Sequence, residues 1–254
     1  DAITLPPNFD DDLSTRPALY RRTQRIWQEM TRRQWQELRA CYYARITELD
    51  LLFGRLMKQI EETGQLDNTI VILTSDHGRY VGAHGLDAHN IGAFEEIYRI
   101  PMVLAGPGIA HGQEAHARAA LQDLCPTILE LCGLAPFVTP DSQSFAPLLR
   151  NPPDRSTPLG RGYAEYHGNR YLLTQRVAWD GAWKFVFNGF DEDELYNLEN
   201  DPHELRNLAA LPEYSVRVET MMRQIWKRVR ETGDKSLAEA QYYTYRFPAL
   251  GPEA

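Results

Sequence analysis

Asp76 and His77 stand side by side directly after an apolar run, Thr69-Ile-Val-Ile-Leu-Thr-Ser75, and just before Gly78. A carboxylate and an imidazole together suit a hard or borderline divalent cation, which takes both oxygen and nitrogen donors. Adjacent residues can face one ion only where the backbone turns, and glycine at 78 permits such a turn. Two donors are too few for a complete site, so others must come from elsewhere. The same residues also fit a blander reading, an aspartate capping a turn beside a surface histidine. His77, His84 and His89, three of the seven histidines, fall within thirteen residues. Near an oxyanion a protonated histidine donates a hydrogen bond or acts as general acid; the alternative for His84 is a loop histidine with no role. Glu95 and Glu96 are neighbours on a helical turn and point in different directions, so salt bridging, with Arg99 as partner, is the better reading than shared catalysis.

The elements that must position these residues follow from pattern. The acidic, proline-containing lead 1–12 reads as a linker entering mid-domain, which makes the chain look like a fragment. Ser14-Thr15-Arg16-Pro17 reads as a helix start with a hydroxyl cap, leading into a polar surface helix over 18–30. A second helix opens at Thr31 and runs to about Thr63, with Ile46, Leu49, Phe53, Leu56, Met57 and Ile60 as one core-facing stripe; Gly64 ends it. The run 69–74 reads as a buried strand, one arm of a parallel, doubly wound sheet, with ligands beyond its carboxyl end. Residues 75–98 form a long connection with little period, which is unusual unless functional. Ile100–Ala105 is the next strand, 115–120 a short one, and Gln122–Cys132 a helix stopped by Gly133. Prolines crowd 135–160, which places a subdomain boundary near 155: 1–155 and 156–254. Beyond it, 171–177, 183–187 and 194–198 read as antiparallel strands. A last helix after Pro212 has Val218, Met221, Met222, Ile225 and Val229 on its apolar face. The aromatic tail, with Tyr242, Tyr243, Tyr245 and Phe247, reads as packed back onto the body.

At 254 residues, with 43% hydrophobic and 24% charged residues, the composition is that of an ordinary globular chain. No apolar run reaches the roughly 20 residues of a membrane helix. A net charge of −8 argues against nucleic acid as a partner. Cys41, Cys125 and Cys132 are too few for a disulfide framework and read as buried thiols, which leaves the compartment open.

Leu73-Thr-Ser-Asp-His-Gly78, Gly82-Ala-His-Gly85 and Phe94-Glu-Glu-Ile-Tyr-Arg-Ile-Pro-Met-Val103 resemble the second half of a sulfatase of the alkaline phosphatase superfamily. Tyr43–Asp50, Gln122–Leu134 and Glu194–Leu208 carry the likeness, in order, across nearly the whole chain. The resemblance implies an α/β fold: an alkaline-phosphatase-like sheet flanked by helices, with a smaller C-terminal antiparallel sheet plus helix. It also implies hydrolysis of a small-molecule or carbohydrate sulfate ester with a divalent metal, calcium first, manganese or magnesium as alternatives. Asp76 and His77 would be metal ligands, in the Asp-His form that resembles choline sulfatases and phosphonate or phosphodiester hydrolases. That leaves phosphonate monoesters and phosphodiesters as the alternative substrates.

Two departures stand out. Relatives carry a lysine after the metal pair to bind the anionic group, and this chain has none between His77 and Pro101. His89 takes that place as the candidate catalytic residue, with His84, His89 and Asn90 as the substrate-binding set. The family's nucleophile is a formylglycine made in a Cys/Ser-x-Pro-x-Arg motif. Cys41-Tyr-Tyr-Ala-Arg45 has Tyr43 where proline belongs, inside a helical pattern, and is rejected. The nucleophile and two further metal carboxylates are expected upstream of Asp1, in an N-terminal half of the same catalytic domain that this chain would need to complete the chemistry. The sequence also leaves room for a homo-oligomer, and for a fragment that binds without catalysing.

Overall fold

The lead is packed, not a free linker: Asn8, Leu13 and Arg16 are 1%, 0% and 3% exposed. Their neighbours are seen in a computed structural model that describes residues 3–89, 91–136, 141–154, 156–168, 173–189, 191–238 and 249–251. Helix α1 (Ala18–Gln24) follows and passes into one tighter turn, Arg25–Trp27. Its N-cap is Pro17, and no side chain caps it, so the hydroxyl cap read at Ser14-Thr15 is corrected.

Helix α2 (Arg32–Glu62) starts as the sequence indicates. The Thr31 hydroxyl accepts from Gln34 N–H and the Gln34 side chain reaches back to Thr31 N–H, a reciprocal cap. Gly64, at φ +66°, turns the chain away at its end. The apolar stripe is where the reading fails. Trp35 is the buried residue of α2, whereas Ile46, Leu49 and Leu56 are about half exposed. The described residues simply do not cover that face.

Strand β1 (Val71–Thr74), helix α3 (Glu95–Tyr98) and strand β2 (Met102–Ala105) come next. β1 and β2 pair antiparallel, Val71 opposite Ala105 and Thr74 opposite Met102, so the parallel arm is corrected. A parallel neighbour needs a crossover helix, and the connection here holds only the four residues of α3. Nor are these strands buried: Leu73 and Val103 are 38% and 60% exposed. Residues 115–120 form no strand. Helix α4 (Leu124–Leu131) and helix α5 (Ala146–Arg150) follow. Cys41 on α2, Cys125 on α4 and Cys132 at the C-cap of α4 are free and exposed, not buried.

The C-terminal part is a four-stranded antiparallel meander, β3 (Arg161–Tyr166), β4 (Gln175–Asp180), β5 (Trp183–Phe187) and β6 (Glu194–Asn197), in that spatial order. Helix α6 (Ser215–Thr232) lies on one face, and all five residues expected on its apolar side are buried there. They pack with Phe185, Phe187 and Leu195, each such side chain contributing roughly 1.5–3 kcal/mol by burial. β5 alternates, so Lys184 and Val186 face the other way. On that side Val186, Val177 and Trp179 pack with Ala93, which precedes α3. A third cluster joins Leu13 and Tyr20 of the N-terminal part, Tyr80, Leu86 and Phe94 of the long connection, and Tyr196 of β6. The connection 75–98 is thus clamped between the lead and the C-terminal sheet. Position 155 and the aromatic tail over 242–247 lie outside the described residues. Among the described residues no helix is long and apolar enough to cross a membrane.

Candidate active site

Just beyond β1 the backbone turns, and the two candidate ligands meet. Asp76 Oδ1 accepts the His77 N–H at 2.9 Å, and Ser75 Oγ braces the turn by donating to the His77 carbonyl at 2.9 Å. His77 Nδ1 lies 2.9 Å from the Gly78 carbonyl. A carbonyl can only accept, so Nδ1 carries a hydrogen and Nε2 is the nitrogen that offers a lone pair when the ring is neutral. Nε2 lies 3.6 Å from Asp76 Oδ2. The His77 N–H and then the imidazole hold the Asp76 carboxyl below its ordinary range. The carboxylate is 82% exposed, open to an ion arriving from solvent. The donor set, one anionic oxygen and one imidazole nitrogen, fits a divalent cation and supplies part of its shell. Among the described residues no group of three or more His, Cys, Asp or Glu could hold a metal.

His89 joins this pair. Its ring stacks on His77 with centroids 4.1 Å apart and planes 20° apart. Asp76, His77 and His89 line one open cleft of about 2140 Å³, with Arg99, Arg118 and Trp179 further along its wall. Arg118 lies over the Trp179 ring and donates to the Gly181 carbonyl at 2.8 Å. Burial and then the nearby Arg99 lower its pKa, against the pull of Glu95.

His84 goes elsewhere. It is fully buried, stacked on Phe94 at 3.8 Å, with Nδ1 2.8 Å from Asp11 Oδ2 and Nε2 2.9 Å from Asn8 Nδ2. Both ring nitrogens are engaged within the protein, and the structure places His84 apart from the other residues expected to bind substrate. It locks the lead beneath the connection. Asn90 lies outside the described residues.

Glu95 and Glu96 do diverge, though not toward Arg99. Glu96 accepts from Asn8 Nδ2 at 2.8 Å. Glu95 is 3.0 Å from Lys184 Nζ and accepts from Trp179 Nε1 at 3.1 Å. Sequence reading passed over Lys184, Glu204 and Asn8. For Lys184 a signal existed: a lysine inside the apolar run Trp-Lys-Phe-Val-Phe is buried only when paired.

A family model described as Sulfatase matches residues 6–134. The chain belongs to the sulfatase family. A second model, described as N-sulphoglucosamine sulphohydrolase, C-terminal, matches residues 82–232 of this sulfatase chain. It is 29% identical over 224 residues to an arylsulfatase K of Xenopus laevis, covering 85% of this chain and 40% of the relative. It is 35% identical over 187 residues to a choline-sulfatase of Rhizobium meliloti (strain 1021), covering 72% and 35%. A crystal structure of a putative sulfatase from Bacteroides thetaiotaomicron VPI-5482 superposes with a TM-score of 0.84 at 23% identity, over 99% of this chain and 59% of that one. That likeness gives the fold alone, an α/β fold shared with that protein. The chain spans 40% and 35% of the length of these two curated relatives.

Proposed function

We propose that this chain is the metal-pair half of a hydrolase acting on sulfate esters of small molecules or carbohydrates. The observation that carries the reading is the meeting of Asp76, His77 and His89 on one cleft wall, inside a chain of the sulfatase family. Asp76 through its carboxylate and His77 through Nε2 would hold a divalent cation, with calcium the first choice. When bound, such an ion neutralises the ester's anionic oxygens and polarises the centre under attack. His77 is prepared for this by Gly78, whose carbonyl fixes the tautomer. His89, beside His77, donates a hydrogen bond to the transferring group or protonates the leaving alcohol, the role of the lysine this chain lacks.

The reading assigns the nucleophile, a formylglycine, and the remaining ligands to residues outside these 254. The half-exposed apolar side chains of α2 support a further part of the same catalytic domain as the covering partner. The test is a paired assay of the full-length protein on an aryl sulfate and on the matching phosphodiester and phosphonate monoester, with metal and with chelator. Sulfate turnover that chelation abolishes is expected. Preferred turnover of the phosphorus esters would shift the assignment within the superfamily, and metal-independent turnover would remove it.

A further inference from the structure

The turn that carries the metal pair is not held by β1 alone. Gly78, next after His77, donates its N–H to the Ile97 carbonyl of α3 at 2.9 Å. The approach is so close that a Cβ on Gly78 would stand 1.8 Å from the Glu96 carbonyl oxygen. The turn and α3 therefore share one position. α3 is in turn gripped at its first residue from the C-terminal part. Lys184 Nζ of β5 lies 3.0 Å from Glu95 Oε1, and Trp179 Nε1 of β4 donates to that same oxygen at 3.1 Å. Glu204 Oε2 accepts the Glu95 backbone N–H at 2.6 Å, and its Oε1 lies 2.8 Å from Lys184 Nζ. Lys184 and Glu204 are 0% and 1% exposed, so the centre of this ring is shielded from water, with the Glu95 side chain 18% exposed at its edge.

Burying one ammonium between two carboxyl groups is a poor way to gain stability. A well-packed apolar side chain at the same place is commonly as good or better, while removing one partner of a buried set is costly. What such a ring does add is a narrow range of allowed positions for Glu95. The line from there is short and unbroken: Lys184, Glu95, α3, the Ile97 carbonyl, the Gly78 N–H, His77.

We propose that Lys184 is a positioning residue for the metal pair, setting α3 through Glu95 and Glu204 and thereby the turn that aims Asp76 and His77. The C-terminal sheet is then part of the active-site framework. The inference rests on the assignment of Asp76 and His77 to the metal.

The experiment compares wild type, Lys184→Met, the milder Glu95→Gln and Asp76→Ala in the full-length protein. Hydrogen exchange is followed on the metal-free forms, and calcium affinity is measured by titration. In Lys184→Met the amides of 75–80 should exchange about tenfold faster or more while α6 keeps its protection. Calcium affinity should fall about 10- to 100-fold, the usual effect of losing a group that orients a ligand. Glu95→Gln should move both readouts the same way by less, and it decides the matter if Lys184→Met loses protection in α6 as well. Should Asp76→Ala lose calcium while the other variants keep wild-type exchange at 75–80 and wild-type affinity, Lys184 contributes to stability only and the proposal is overturned. Should Asp76→Ala keep its affinity, the metal assignment fails first and takes this inference with it.

Discussion

At the scale of single residues, the site divides histidines that look alike in sequence. His89 faces the cleft beside His77, and His84 is sealed between Asp11, Asn8 and Phe94. His89→Ala in the full-length enzyme should lower kcat by about 10²–10³-fold, the cost of one transition-state donor, with calcium affinity unchanged. His84→Ala should instead leave Asp11 and Asn8 each short of one buried hydrogen bond and open a void beside Phe94, destabilising the fold by about 3 kcal/mol in denaturant titration, with kcat little changed in the protein that remains folded. The turn that brings Asp76 and His77 together was legible because adjacency and a following glycine are local signals. Lys184 was not, since its partners stand at 95 and 204 and no short-range pattern links those positions. The fate of His84 depended on Asn8 and Asp11, in a lead whose acidic, proline-containing composition reads as a linker.

At the scale of elements, the close approach of the metal-pair turn to α3 gives the sharpest expectation. Gly78→Ala must displace either the turn or the Glu96 carbonyl, and overpacking of this kind should cost about 2–3 kcal/mol. Calorimetry should show the lowered Tm, and calcium affinity should fall with it; a fully stable variant would mean the turn and α3 are not held so tightly. Helices α2 and α6 were readable because their periods and caps are local. The antiparallel pairing of β1 with β2 was not, because an apolar run has the same look in either orientation. Strand β3 was missed because Arg161-Gly-Tyr-Ala-Glu-Tyr166 follows a proline-rich stretch and carries no β-branched residue.

At the scale of the whole molecule, the clamped connection ties stability to pH through Glu204. Burial, with the charge of Glu95 added and Lys184 opposing, raises its pKa from 4.5 to about 8. Tyr80 and Tyr196 feel its charge, and Arg16 binds its backbone carbonyl. A carboxyl with a raised folded pKa stabilises the fold fully below its unfolded value and loses that contribution as pH rises through the folded one. Stability should therefore decline between about pH 4.5 and 8. Glu204→Gln should flatten that decline in denaturant midpoints taken across the range; an unchanged slope would exclude Glu204 as its source. What covers the α2 face was never legible, since a helical stripe announces an apolar neighbour without naming it. The account as a whole stands on Asp76 as a metal ligand, and calcium titration of the full-length wild type against Asp76→Ala tests it most directly. Affinity should fall by more than about 100-fold, beyond what an orienting group alone would give; an unchanged affinity would contradict the assignment.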